Sequence, residues 1–442
     1  MSELDLLQLD RDVARSARAE RAWWRTLRVD AARAADDAWY EPFRHVTTRA
    51  TFQEVASLPS GDPLREPLLA WIHRLSLTRI ARTPIVALAR ARQEATLRLE
   101  EPEPGLHNVR AIVRRVLAEP ERSRARAWLE ALARAPSPLL GQEKTLREAT
   151  REITNRLGVT DPSSLVPFDR ALVAREAEQL LRLTNDLATS IASRAGDLAD
   201  LVATLVASDV SGVWPTRSDA RWLFDQFQAS PLLQGLTLDL GPTPAALGGA
   251  SFARALARFG AAYARSAVLG GAPFVAMSDA SDVHPWRRGA LFASLAADPI
   301  FLRKNIGLSR DAARAGSRAL SATFLAALRL GAVSTIIDVA SASPAAIGEA
   351  IEDALKVPVP VELAGVFPRL SMKAAERLSA SLLAFGDAVE LANRFDEDWF
   401  RNPRGLHHLR ELDASPRPPK VPEESLRGSA AKLARALEAM AG

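Results

Sequence analysis

The chain has 442 residues, a formal net charge of +4 and no cysteine, so disulfides, thiol nucleophiles and thiolate-bound metals are excluded. Its apolar content of 48% argues for a folded chain along most of its length, with enough residues for one extended domain or two to three smaller ones. The isoelectric point of about 9.7 comes from 51 arginines against six lysines, and their spread along the chain reads as compositional bias rather than a basic face for nucleic acid.

Residues 3–40 contain neither Gly nor Pro and space Leu6, Leu9, Val13, Ala17, Trp23, Trp24 and Leu27 as one long amphipathic helix. The acidic N-terminus lacks the pattern of a signal peptide, and no run reaches the roughly 18 to 20 uncharged apolar residues of a bilayer span. A cytoplasmic location is the expectation, with no membrane contact. Further helices are predicted over 64–100, 106–134, 138–157, 168–209, 215–228, 248–268, 285–303, 309–340, 344–355, 371–394 and 403–413, divided by short clusters such as LPSGDP, EEPEPG and TDPSS. Two stretches are predicted as extended. GLTLDLGP (235–242) alternates leucine with Thr237 and Asp239, and the prolines of VPVPVEL (357–363) restrict it to an edge or a connector.

The predicted fold class is all-α, a multi-helix body with at most a very small β element. It reads as a single helical domain over 1–413 with lobes at 1–160 and 161–413. A Pro-rich linker over 414–424 (SPRPPKVPEE at 415–424) then leads to a C-terminal amphipathic helix over 425–442. The long N-terminal helix, with Trp23, Trp24, Trp39 and Tyr40 nearby, and the C-terminal helix either pack on the body or present partner-binding faces.

Motifs that carry chemistry are scarce. There is no GxxxxGK[ST] and no GxGxxG after a strand. GASFA around Ser251 lacks the second glycine of a nucleophile elbow, and Ser251 reads as a helix N-cap. The histidines, His45, His73, His107, His284, His407 and His408, include no pair at i and i+4, the spacing a helical zinc site needs. The densest reactive stretch, RFDEDWFRNPRGLHHLRELD (394–413), reads as a corner between two helices pinned by Trp399 and Phe400. Asn402 caps the second helix, Pro403 starts it, and Leu406, Leu409 and Leu412 form its buried stripe.

Read as a unit, 236–310 joins the extended LTLDL, the helix GGASFARALARFGAAYARS (248–266) and SDVHPWRRGALFASLAADPIFLRK (281–304). This order resembles the M3 family of helical zinc peptidases, the oligoendopeptidase and thimet oligopeptidase group. There an edge strand leads into a helix carrying HEFGHALH, and a later helix reads like VExPSQLLExWxxDPxxL. Superposed on Phe259 and Gly260, that motif falls on Ala257, Arg258, Phe259, Gly260, Ala261, Ala262, Tyr263 and Ala264, and ADPIFL (297–302) matches the end of the second helix. The zinc ligands become Ala257 and Ala261, and the general base becomes Arg258. The third ligand, a glutamate, falls near Asp282–His284, where no Glu stands. The counterpart of the family's tyrosine-rich helix, 373–395, has no tyrosine.

Alanine offers a metal no lone pair, and a guanidinium stays protonated. Two unit charges 4 Å apart interact by about 4 kcal/mol at an effective dielectric of 20, and a divalent ion would face about twice that. The resemblance therefore implies a metal-free, cofactor-free and catalytically inactive relative that binds a peptide or protein partner. Its cleft would be lined by Tyr263, Asp282, His284 and Trp286. Two alternatives stand beside it. One is a hydrolase using Asp282 and His284, with Asp279 and the acids at 396–398 as further candidates and Asp282 otherwise a helix cap. The other is nucleic-acid binding through arginines such as those at 110–126.

Overall fold

The computed structural model describes residues 5–100, 103–116, 119, 121–133, 138–159, 161–207, 220–240, 249–267, 271–337, 342–365, 373–416 and 420–441. Helix dominates, as the periodicity predicts, and one kind of departure occurs where a single residue breaks a helix that the apolar pattern carries through. The helix expected over 3–40 is two, α1 (Leu6–Val29) and α2 (Ala31–Asp36). Asp30, in extended backbone, ends α1 and caps α2 by accepting the Arg33 amide at 2.9 Å. The α1 stripe of Leu9, Val13, Ala17, Trp23 and Leu27 packs with Trp71 and Ile72 in the first of four apolar cores, which also buries Trp39.

After α3 (Arg49–Ala56), the pattern at 64–100 resolves into α4 (Arg65–Ile80), α5 (Arg82–Glu94) and β1 (Thr96–Leu99). β1 pairs antiparallel with β2 (Gly105–Asn108), Leu97 opposite Leu106's neighbour His107, so the sheet lies where the sequence reading has helix. Four alternating residues, TLRL, are too few to register against a helical window. The segments predicted as extended form no strand among the described residues: 236–240 is irregular and Val361–Gly365 is a 3-10 turn, while 241 and 242 lie outside the described residues.

The chain continues through α6 (Val109–Val116), α7 (Arg122–Ala133) and α8 (Pro138–Leu157), the last on its predicted bounds. The pattern at 168–209 divides into α9 (Arg170–Leu183), α10 (Asn185–Ala192) and α11 (Leu198–Ala207), and residues 208 and 209 lie outside the described residues. Of 215–228 the described part is α12 (Ala220–Gln228). α13 (Gly249–Ser266) starts before Ser251, which therefore sits inside its first turn and not at its cap. α14 (Phe274–Met277), α15 (Val283–Ser294) and α16 (Pro299–Lys304) follow, with Asp298 accepting the Ile300 amide at 2.7 Å to cap α16. α17 (Arg310–Ile336), α18 (Pro344–Leu355), α19 (Ala374–Phe395), α20 (Pro403–Ala414), α21 (Glu423–Leu426) and α22 (Ser429–Ala441) complete the order.

A second core joins the hairpin, α6, α7, α11 and α18 around Ile112, Trp128 and Ile351. A third, built on α13, α15, α19 and α20, holds Phe259, Phe292, Trp399 and Phe400. The fourth gathers α9, α17, α19 and α22. Among the described residues α17 alone is long and apolar enough to cross a membrane by length and composition. It packs against α9, α18, α19 and α22, and its buried Arg329 donates to the carbonyls of Leu181, Asp353 and Ala354 at 2.7, 3.0 and 2.6 Å, joining the C-terminal ends of α9 and α18. Residues 417–419 of the Pro-rich stretch lie outside the described residues. Beyond them α22 buries Ala430, Leu433 and Leu437, and Glu176 on α9 accepts the Gly428 and Ala430 amides at 2.9 Å each.

The 394–413 corner has the predicted form in most details. Trp399 and Phe400 are buried, and Asn402 accepts the Arg404 amide at 3.0 Å ahead of Pro403. Leu412 corrects the predicted stripe: it is exposed, and Asp413 is buried beside it.

The third core depends on the contact between α13 and α15. A Cβ built on Gly260 would stand 2.3 Å from the Arg288 carbonyl oxygen, and one on Gly289 would stand 2.8 Å from the Ala257 carbonyl oxygen. The two helices touch backbone to backbone, and each contributes the glycine that permits it. Gly260→Ala is expected to cost about 3 kcal/mol, the upper end of ordinary overpacking, read as a lower urea midpoint at unchanged slope. Gly331→Ala, at a position where a Cβ would meet nothing within 4 Å, is the control.

Candidate functional site

The α13–α15 contact decides what the aligned motif positions can do. Ala257 is half-buried with its carbonyl against Gly289, Ala261 is half-buried, and Arg258 is exposed. Tyr263 is fully buried, donates to the Leu409 carbonyl at 3.3 Å, and packs its ring against Phe292. Burial, reinforced by Asp413, pushes its phenol well above the usual range. Tyr263 is thus a core residue and does not line a cleft.

At the start of α15, Asp279 rather than Asp282 supplies the cap. Asp279 accepts the His284 amide at 2.8 Å and the Ser281 amide at 2.6 Å. Asp282 has a left-handed backbone (φ 64°) and caps nothing with its side chain. Its carboxylate meets Arg74 at 2.9 Å, Lys373 at 3.3 Å and Arg265 at 3.9 Å. Arg74 continues to Glu20 at 3.0 Å and to the Ala280 carbonyl at 2.9 Å. Burial by itself raises the Asp282 carboxyl, but Arg74, then Lys373 and Arg265, hold it well below the usual carboxylate range. Trp286 carries the Lys373 ammonium and the Arg377 guanidinium 5.3 and 5.2 Å from its ring centroid.

One turn further on, Arg288 donates through Nε to both oxygens of Asp413 at 2.9 Å and through a terminal nitrogen to Asp387 at 2.5 Å. Arg287 also reaches Asp387, at 2.7 Å. His284 Nε2 lies 3.2 Å from Asp413 Oδ1. Burial opposes charge on Asp413, but Arg288 and His284 bring its carboxyl well below the usual range. Sequence reasoning missed Asp387 and Asp413 because each stands in a pattern that reads as a solvated face. The available signal was Arg288, one helical turn before Leu291 and Phe292 and so on the same buried side.

Asp282 and His284 are therefore brought close in sequence but engaged apart, one toward α4 and α19 and the other toward α20. The remaining histidines also have separate partners: His45 with Asp12, His73 with Thr154, His107 with the Glu103 carbonyl, His407 with Glu411 and His408 with Arg394. Burial lowers His73 to about 4 and so keeps it neutral. Zinc does not fit the residues present. Ala257 and Ala261 offer no lone pair and Arg258 is a cation, and among the described residues no group of three or more His, Asp or Glu side chains could hold a metal ion. A cavity of about 470 Å³ lies elsewhere, between α15, α19 and α22, and is lined by Arg287, Asp387, Glu390, Arg394 and Lys432. None of the seven predicted positions borders it.

The helix order agrees with one solved architecture. A crystal structure from Bacillus anthracis str. Ames, assigned as oligoendopeptidase F, has a TM-score of 0.52 against this chain, with 12% identity over 91% of this chain and 86% of that one. The chain shares the oligoendopeptidase fold. At that identity the likeness concerns the fold alone. No family model matches the sequence, and no curated protein matches it.

The buried ion pairs of this oligoendopeptidase fold make stability depend on pH. Asp413→Asn leaves Arg288 with half its carboxylate partners and is expected to cost about 3 to 5 kcal/mol at neutral pH. Because the folded carboxyls of Asp413 and Asp282 titrate below the unfolded value of about 3.9, their contribution is complete above that pH and is lost as pH falls further. Urea denaturation between neutrality and acid should show the wild type and Asp413→Asn converging only below about pH 4.

Proposed function

We propose that this protein uses the oligoendopeptidase fold to bind a peptide or protein partner without zinc-dependent hydrolysis. One observation carries the reading. The α13 face that aligns with the peptidase motif presents Ala257, Arg258 and Ala261, and Ala257 is pressed against the backbone of α15. Hydrolysis of that type requires three ligands, an open water position and a carboxylate base, and α13 supplies none of the ligating or basic groups. The fold likeness supports a polypeptide as the partner class, since the related structure is assigned as an oligoendopeptidase. A hydrolase built on Asp282 and His284 has less support, because Arg74 and Lys373 hold the first and Asp413 faces the second.

Purified protein dialysed against zinc and examined by elemental mass spectrometry should retain far less than an equimolar amount of metal. A mixture of defined peptides incubated with it and followed by native mass spectrometry should yield complexes with intact peptides. Near-equimolar zinc, or cleavage of those peptides that a chelator abolishes, would overturn the proposal.

A further inference from the structure

The cations around Asp282 outnumber the acids that face them. Arg74, Arg265 and Lys373 converge on this one carboxylate, and Arg74 also reaches Glu20. Arg377 shares the Trp286 ring with Lys373. Arg21 arrives from α1, half-buried, and among the described residues neither it nor Arg377 has a carboxylate within ion-pair distance. Six cations, Arg21, Arg74, Arg265, Lys373, Arg377 and the Arg170 that pairs with Glu376 at 3.1 Å, thus meet four carboxylates, Glu20, Asp279, Asp282 and Glu376. Burial, then Arg265 and Arg74, hold the Arg21 guanidinium below its usual range. Burial also lowers Arg265, which Asp282 offsets in part and Arg74, Arg28 and Arg25 depress further. Arg377 is lowered by burial and then by Arg28. Like charges from α1, α4, α13 and α19 are held together at one junction, where the Arg265 and Arg377 side chains are only partly open to solvent.

We infer that the junction of α1, α4, α13 and α19 around Asp282 and Trp286 binds a carboxylate of the peptide ligand, through Arg21, Arg265 and Arg377. The inference rests on the proposed peptide-binding role and specifies the chemistry recognised. A planar carboxylate matches the guanidinium fork, and the Trp286 ring offers an apolar shelf beside it. The excess of about two cations suits one or two single negative charges. Asp282 and Glu20, set among the cations, oppose the denser charge of a phosphate or a nucleic-acid backbone. The carboxylate has two sources, an Asp or Glu side chain or the peptide C-terminus.

Isothermal titration with four probes separates them: acetyl-(Ala-Glu)3 and acetyl-(Ala-Gln)3, each as free acid and as C-terminal amide. At least one carboxylate-bearing probe is expected to bind about tenfold more tightly than the neutral amide of acetyl-(Ala-Gln)3, equivalent to about 1.4 kcal/mol. The preferred probe names the source. The double variant Arg265→Gln, Arg377→Gln should erase that preference while its Tm stays at or above the wild-type value, because like-charge repulsion is removed. Equal binding of all four probes overturns the inference and leaves the peptide-binding role standing. If no probe binds, the peptide-binding role falls, and millimolar tricarballylate decides the anion site. A Tm rise in the wild type that the double variant lacks upholds the site, and equal melting in both overturns it. Preferential binding of oligo-dT over the acidic peptides also overturns it.

Discussion

Two glycines, Gly260 and Gly289, let α13 and α15 meet backbone against backbone, and much of the third core follows from that contact. With the helix axes this close, Phe259 and Phe292 lie edge to face at 5.2 Å, and Phe227, Tyr263 and Trp399 close around them. The same approach carries Arg288 into the interior, where a guanidinium is tolerated only because Asp413 and Asp387 reach it from α20 and α19. A packing decision at two residues thus sets both the apolar core and the buried ion cluster beside it.

The second cluster has a different role in the architecture. Glu20, Arg74, Asp282 and Lys373 form a chain of contacts from α1 through α4 to the head of α15 and the start of α19. It links the N-terminal helices to the C-terminal half, and its cations are not fully balanced. On the proposed reading, this surplus is what a carboxylate ligand would neutralise. The contrast with Arg329 is informative: that arginine is also buried, but four well-directed acceptors at two helix ends satisfy it without any carboxylate. An arginine in this fold can be structural by itself, and only a group of them sharing too few acceptors suggests an external partner.

Helix content and most helix positions were legible from spacing because apolar stripes repeat over many turns, as in α8, α18 and α20. Breaks were not, since Asp30 changes only the local backbone while the apolar stripe runs on across it. The hairpin at 96–108 was missed for the opposite reason, that its strands are only four residues each. Among the site residues, Asp282 and His284 were found by type, but their partners are 91 and more residues distant in the chain or on other helices. Long-range ion pairs leave no periodic trace.

The sequence by itself determined the all-α class, the absence of thiol chemistry and the corner at Trp399–Asn402. These follow from residue identity and from spacing within one element. Only the tertiary structure decided that Tyr263 belongs to the core, that Asp279 takes the capping role, that Asp413 is buried, and that cations from four helices converge on Asp282. Each of those depends on which helices touch, and that was set by contacts such as Gly260 on Arg288, where the absence of a side chain matters more than any side chain present.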